Sequence, residues 1–247
     1  MGVIGGMRIV PSGCSAAPRF RQWSPPARCM ALPQRRPMYA MPQRGMQTAP
    51  GQKKPLAQLS QDQRQFLDRA LRVNQAGELA ATLIYTAQTP PLLQSHPNLR
   101  SLMKHMYDQE AGHFATFNKL LAKHRVRPTA MYPVWKAAAS ILGWSTGVMG
   151  REASMACTEA VETEIGNHYN GQVRELFRWM QEIKSRGDEV DPELEELINT
   201  LKRIRDEELE HLDHAVENDA KQAQPYGPLT NVIRYGCRGA IWISERV

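Results

Sequence analysis

The feature that most constrains this chain is a buried-looking seam interrupted by acid. Leu194, Leu197, Leu201, Ile204, Glu208, His211 and Ala215 follow one another at alternating intervals of three and four. That spacing puts all seven on one face of a helix turned toward other helices. Two of the seven are a glutamate and a histidine. Their neighbours Asp206, Glu207 and Glu210 fall off the seam. An upstream stretch repeats the device, with Leu99, Met103, Met106, Glu110, His113, Phe117 and Leu120 in steps of four and three. These are the two Glu-x-x-His matches in the sequence.

Two further stretches carry seams without a histidine. One reads Leu67, Leu71, Asn74, Glu78, Ala81, Tyr85. The other reads Met155, Glu159, Glu162, Gly166, Tyr169, Val173, Leu176. Glu159 and Glu162 both lie on this last seam and spacing admits either as the inward carboxylate; Glu164 falls off it. A carboxylate buried without a partner costs several kcal/mol or takes up a proton. Four that converge repel one another, and a pair of multivalent cations removes the conflict. Glutamate and histidine three apart share a helix face, so each Glu-x-x-His offers an oxygen and a nitrogen to one region. One glutamate from each of two helices and a Glu-x-x-His from each of two others is the ligand pattern of di-iron and di-manganese bundles. Carboxylates with one imidazole per metal suit iron or manganese better than zinc or copper.

The order of these stretches predicts an all-α, ferritin-like four-helix bundle with one long crossover. The first helix is expected over about 60–87, ending before Pro90-Pro91; the second follows His96-Pro97-Asn98 and ends near His124. The third is expected between Gly150 and Gly187, and the fourth opens on Asp191-Pro192, an N-cap followed by proline at the first helical position, and ends before Pro225. The two outer links are short and make antiparallel hairpins. The middle link, 125–150, is long enough to cross the bundle. Within it, residues 137–150 carry no charge, and Val134 and Trp135 extend the apolar run. This run is too short to span a bilayer. It admits a helix in a membrane interface, a lid over an apolar pocket or a buried core helix. Leu229–Ile243 is a further apolar, helical piece.

Charge divides the chain. Residues 1–61 contain nine Arg or Lys, nine of the 17 prolines and no acid. That is the composition of an organellar transit peptide, and it lacks the compact apolar core of a secretory signal. Residues 1–55 are therefore expected to be a leader without stable structure, and 56–247 the bundle domain. Residues 62–247 hold 22 Lys or Arg against 25 Asp or Glu. This mild acidity argues against a nucleic-acid partner despite the overall +6 charge. Four cysteines without a CxxC pair exclude a disulfide scaffold and a zinc ribbon.

Six stretches, RVNQAGELAA (72–81), DQEAGHF (108–114), RVRPT (125–129), ACTEAVETEIGNHYN (156–170), RDEELEHLDHA (205–215) and CRGAIWISERV (237–247), resemble the demethoxyubiquinone hydroxylases of mitochondria and bacteria. The resemblance implies a mitochondrial di-iron monooxygenase with metal ligands Glu78, Glu110, His113, Glu162, Glu208 and His211. It implies that Glu110 and Glu208 bridge, with Glu78 and His113 serving one iron, and Glu162 and His211 the other. It further implies O2 as co-substrate, NADH as a reductant and ring hydroxylation of a polyprenylated demethoxybenzoquinone in ubiquinone synthesis. The expected setting is peripheral, on the matrix side of the inner membrane, with a lipid-binding partner protein and other ubiquinone-synthesis enzymes. His168 and Tyr169 are candidate proton or electron relays; the alternatives are an exposed histidine and a packed tyrosine. The chain departs from the family at two places: Glu159 replaces an apolar residue, and Asn74-Gln75 replaces Asp-His. The rival classes are a ferritin-like ferroxidase or iron-binding protein and a non-enzymatic quinone-lipid scaffold. The apolar crossover argues against the first, and six ligand-type side chains on the inward seams against the second.

Overall fold

The computed structural model describes residues 56 and 59–247, so the leader expected over 1–55 lies outside the described residues. Six helices follow in order: α1 (Gln61–Ser95), α2 (Arg100–His124), α3 (Tyr132–Met149), α4 (Arg151–Ser185), α5 (Pro192–Glu217) and α6 (Tyr226–Ser244). Single 3₁₀ turns at Pro97–Leu99 and Ala220–Gln222 precede α2 and α6. No strand occurs among the described residues. Helices α1 and α2 pack as one hairpin, α4 and α5 as the other, and α3 is the crossover between them. This is the all-α, ferritin-like arrangement expected from the seams.

Caps set the starts of α1 and α5. Ser60 Oγ accepts from the Gln63 amide while Gln63 Oε1 accepts from the Ser60 amide, a reciprocal capping box. Asp191 accepts from the Glu193 amide at 3.0 Å, with Pro192 at the first helical position. The link between α3 and α4 is a single residue. Gly150, at φ 111°, takes a backbone conformation that side chains disfavour, and so lets one helix end where the next begins.

One expectation fails at α1. The helix does not stop before Pro90-Pro91 but runs through both to Ser95. Proline in a helix interior costs about 3 kcal/mol or more. The cost is offset by packing: Leu92 is wholly buried in a cluster with Tyr85, Leu99, Met103 and Met106, and the Pro91 ring abuts Gly147 of α3. Tertiary contact outweighs the local breaker signal here.

The crossover is a helix with two unlike faces. Ala139, Gly143 and Gly147 lie against α1, so close that a methyl at Gly143 would collide with the Ile84 carbonyl. The opposite face turns Ile141 (67% exposed), Trp144 (59%), Val148 and Met149 to solvent. Helix α6 behaves likewise, exposing Val232, Tyr235 and Trp242. The two outer helices are tied by Trp135 Nε1, which donates to Ser244 Oγ at 3.0 Å. No helix among the described residues is long and apolar enough to cross a membrane.

Candidate metal centre

The seams of α1, α2, α4 and α5 converge at mid-height. Above and below, they bury ordinary apolar residues: Leu71, Phe117, Leu176 and Leu201 toward one end, Tyr85, Met103, Met106 and Met155 toward the other. Between these layers sit Glu78, Glu110, His113, Glu162, Glu208 and His211, none more than 2% exposed. Five come from the seam positions that spacing singles out, and Glu162 is one of the two that spacing admits on α4. Their ligand-type atoms form two groups, Glu78–Glu110–His113–Glu208 and Glu110–Glu162–Glu208–His211, and within each group all lie within 4.8 Å of one another. Glu110 and Glu208 belong to both.

The two histidines present the same nitrogen to the interior. His113 Nδ1 lies 3.0 Å from Glu208, 3.4 Å from Glu78 and 3.8 Å from Glu110. His211 Nδ1 lies 3.0 Å from Glu110 and 3.4 Å from Glu208. Yet both Nδ1 atoms, Glu78 Oε2 and all four oxygens of Glu110 and Glu208 have no hydrogen-bond partner. The groups face one another without bonding to one another. Buried polar atoms are normally paired, and leaving one unpaired costs about 1–3 kcal/mol, more if charged. So many unpaired atoms aimed at one point could serve as the donor set of a multivalent cation.

The electrostatics agree. Burial lifts Glu78 and Glu162 above the usual carboxylate range, and the facing Glu208 adds to the effect on both. Burial alone would lower the histidines; the close approach of the surrounding carboxylates, Glu110 and Glu208 foremost, overrides it, raising His211 to about 9 and His113 well above its ordinary value. The pocket therefore attracts positive charge strongly. Burial, followed by the nearby carboxylates, also pushes Tyr85 and Tyr169 well above the usual phenol value.

The outward nitrogens reveal two residues that periodicity overlooks. His113 Nε2 lies 2.5 Å from Glu207 Oε2, and His211 Nε2 lies 2.8 Å from Gln109 Oε1. Such partners fix the ring and its tautomer, and so aim Nδ1. Glu207 is off the α5 seam but reaches across to His113 of α2, while Arg203, one turn earlier on α5, donates to both of its oxygens at 2.7–2.8 Å. The signal available in sequence was adjacency: each partner immediately precedes a seam glutamate, Gln109 before Glu110 and Glu207 before Glu208.

The structure separates the α4 candidates. Glu162 joins the central group. Glu159, one turn away, instead accepts from Lys221 Nζ and, at 3.0 Å, from the Tyr226 hydroxyl. Glu164 points to α6, where Arg234 and Arg238 donate to it at 2.6–2.9 Å. Asn74 exchanges two 2.8 Å hydrogen bonds with Gln172 of α4, and Gln75 donates to Asn118 of α2 at 3.1 Å. These departures brace α1 against its neighbours one turn from Glu78. Tyr169 donates to Glu78 Oε1 and so touches the centre directly. His168 does not join this network; its Nε2 has no hydrogen-bond partner, and burial lowers its pKa to about 4.

On the far side of α1 and α4 lies an apolar cavity of about 360 Å³, flanked by α3 and α6. Gly77 and Val161, sequence neighbours of Glu78 and Glu162, form part of its wall, with Ile84, Leu142, Ile233 and Ile241. A model of the ubiquinone biosynthesis protein COQ7 family matches residues 65–244. The chain belongs to this family. Among its relatives, the 5-demethoxyubiquinone hydroxylase of Saccharomyces cerevisiae is 47% identical over 190 residues, covering 76% of this chain and 82% of the yeast protein. The human NADPH-dependent 3-demethoxyubiquinone 3-hydroxylase is 42% identical over 185 residues, 74% of this chain and 79% of its own length. The 3-demethoxyubiquinol 3-hydroxylase of Rhodospirillum rubrum is 42% identical over 182 residues, with the same coverage. The yeast and human proteins are named as mitochondrial. The human protein's name specifies NADPH, where the sequence resemblance implied NADH.

Proposed function

We propose that this COQ7-family chain is a mitochondrial demethoxyubiquinone hydroxylase, and that Glu78, Glu110, His113, Glu162, Glu208 and His211 hold two iron ions, with Glu110 and Glu208 shared. The observation that carries the metal reading is the set of buried, unpaired carboxylate and imidazole atoms aimed at one point. When bound, the irons supply activation of O2 and insertion of one oxygen into the substrate ring.

The rest is the work of the chain. Glu207 and Gln109 hold the His113 and His211 rings with Nδ1 inward. Tyr169 fixes Glu78 through its hydroxyl and lies where it can hold or deliver a proton at that carboxylate. His168 Nε2 has no hydrogen-bond partner, so we assign the relay to Tyr169. The apolar cavity is of a size that takes a small ligand, about 300–1,000 Å³ being usual. It offers the benzoquinone ring and first isoprenoid units a dry path beside Glu78 and Glu162. The exposed faces of α3 and α6 flank that cavity, and we assign them to the matrix side of the inner membrane, where a polyprenyl tail resides. Trp144 and Trp242 suit the interface, where an indole ring is apolar and its N–H wet. A lipid-binding partner protein and other ubiquinone-synthesis enzymes would meet the same face, and NADH or NADPH would supply the electrons.

Anaerobic reduction of the iron-loaded chain, followed by O2 and a demethoxyquinone, should yield a product heavier by one oxygen in mass analysis. Iron uptake with O2 consumption and an unaltered quinone would return the chain to the ferroxidase class.

A further inference from the structure

A second cluster of metal-ligand type lies outside the buried centre, across the same two helices. His105 of α2 and Glu210 and His214 of α5 bring their ligand-type atoms within 4.8 Å of one another at the surface. His105 Nε2 is 3.7 Å from Glu210 Oε1, and His214 Nε2 is 3.5 Å from the same oxygen. Both separations exceed the hydrogen-bond range of about 2.7–3.2 Å. They are close to the edge of a coordination polyhedron. Ligands about 2.0–2.2 Å from a tetrahedral ion stand roughly 3.3–3.6 Å apart. The two rings meet edge to face, with centroids 6.1 Å apart, so neither blocks the other's Nε2. Glu217 stands 3.8 Å from His214 Nδ1, the ring nitrogen that does not face Glu210.

We propose that His105, Glu210 and His214 form a surface site for a divalent transition-metal ion that braces α2 against α5. Two imidazoles and one carboxylate favour zinc, cobalt, nickel or ferrous iron over magnesium or calcium, which prefer oxygen. His105 and Glu210 are half-exposed and His214 partly so, which leaves water free to complete the coordination. The position gives the ion leverage. Helices α2 and α5 carry both Glu-x-x-His pairs. His105 is one turn from Gln109, which orients His211, and Glu210 is the residue between Leu209 and His211. A bound ion therefore holds the two helices in register at the solvent edge of the centre.

The test uses the full, iron-loaded chain titrated with Co2+ and read by its visible d–d absorption, beside a His105→Gln/His214→Gln double variant. The parent should bind one more equivalent of Co2+ than the double variant, and Zn2+ should displace it. Saturating Zn2+ should raise the parent's Tm by about 5 °C or more and leave the double variant unmoved. Glu210→Gln should weaken binding by about tenfold or more. Unaltered circular dichroism and iron content certify that the exposed substitutions leave the fold intact. Equal Co2+ stoichiometry and equal thermal response in parent and double variant would overturn the site. The outcome does not depend on what occupies the buried centre, because parent and variant share it.

Discussion

Helix α1 has two faces built by opposite rules. Its inner face presents Glu78 to three more carboxylates in a region from which water is excluded. Its outer face receives α3, whose own far side turns Ile141 and Trp144 to water. Inside, charge stands where apolar groups belong; outside, apolar groups stand where charge belongs. Each arrangement is unfavourable for the chain alone; the proposed cations would relieve the first and the proposed lipid surface the second. The same helix also separates the two. The Glu78 side meets the buried carboxylates and histidines, while Gly77, its neighbour, lines the apolar cavity under α3 and α6. The comparison teaches that a locally disfavoured pattern is informative when its members converge. Scattered exposed leucines would say nothing.

The largest effects are expected inside. Glu208→Ala, His211→Ala and Glu162→Ala each remove a group from a set in which the remaining carboxylates repel. Each should lose most of the iron and all hydroxylation, measured by metal analysis of purified protein and by product mass. Asp213→Ala, exposed and two residues from His211, should keep both. Equal iron in all four variants would break the comparison at its inner half, because the seam would then not be what gathers the metal.

The outer half is tested by charge. Ile141→Asp with Trp144→Asp places two carboxylates on the face assigned to the membrane. Burying such side chains contributes about 1.5–3 kcal/mol each, so the pair should weaken binding to liposomes by about a hundredfold or more. Iron content should not change, because both side chains point away from α1. Co-sedimentation with vesicles rich in anionic lipid reads the first quantity and metal analysis the second. If the variant sediments like its parent, α3 owes its exposed residues to something other than a bilayer.

Much of the inner half was legible in sequence, and less of the outer. A period of three and four places a side chain on a face, so five of the six residues could be brought together from spacing and topology, with Glu159 and Glu162 left as alternatives for the sixth. Periodicity says nothing of reach, which is why Glu207, off the seam, went unnoticed although its carboxylate spans to His113. Nor does it weigh packing against a local breaker: Pro90-Pro91 read as a stop, and the buried Leu92 and the Pro91–Gly147 contact made them helix interior. The run 137–150 has no charged residue to mark a wet side, so its faces could not be told apart. Its glycines decide them, since only the Gly143–Gly147 edge fits against Ile84 and Gln88.

The smallest expected effect concerns the one seam position that the two halves contest. Glu159 and Glu162 are indistinguishable by spacing, and what parts them is a partner 62 residues downstream. Lys221 and Tyr226 both donate to the Glu159 carboxylate, which draws it toward the turn before α6. Glu159→Ala should therefore keep its iron. It removes the acceptor of a half-buried tyrosine hydroxyl, worth about 0.5–1.5 kcal/mol, and an ion pair whose lysine is largely exposed and so contributes about 1 kcal/mol or less. The expected loss is thus about 1–2 kcal/mol in urea unfolding followed by far-ultraviolet circular dichroism. Glu159→Gln should recover the tyrosine contact and part of that loss. Both variants should retain hydroxylation at a somewhat reduced rate, since the turn they loosen anchors the start of α6, a wall of the cavity. Should Glu159→Ala lose its iron while Glu162→Ala keeps it, the inward carboxylate of α4 would be Glu159, and the pull of Lys221 would be the weaker force at this position.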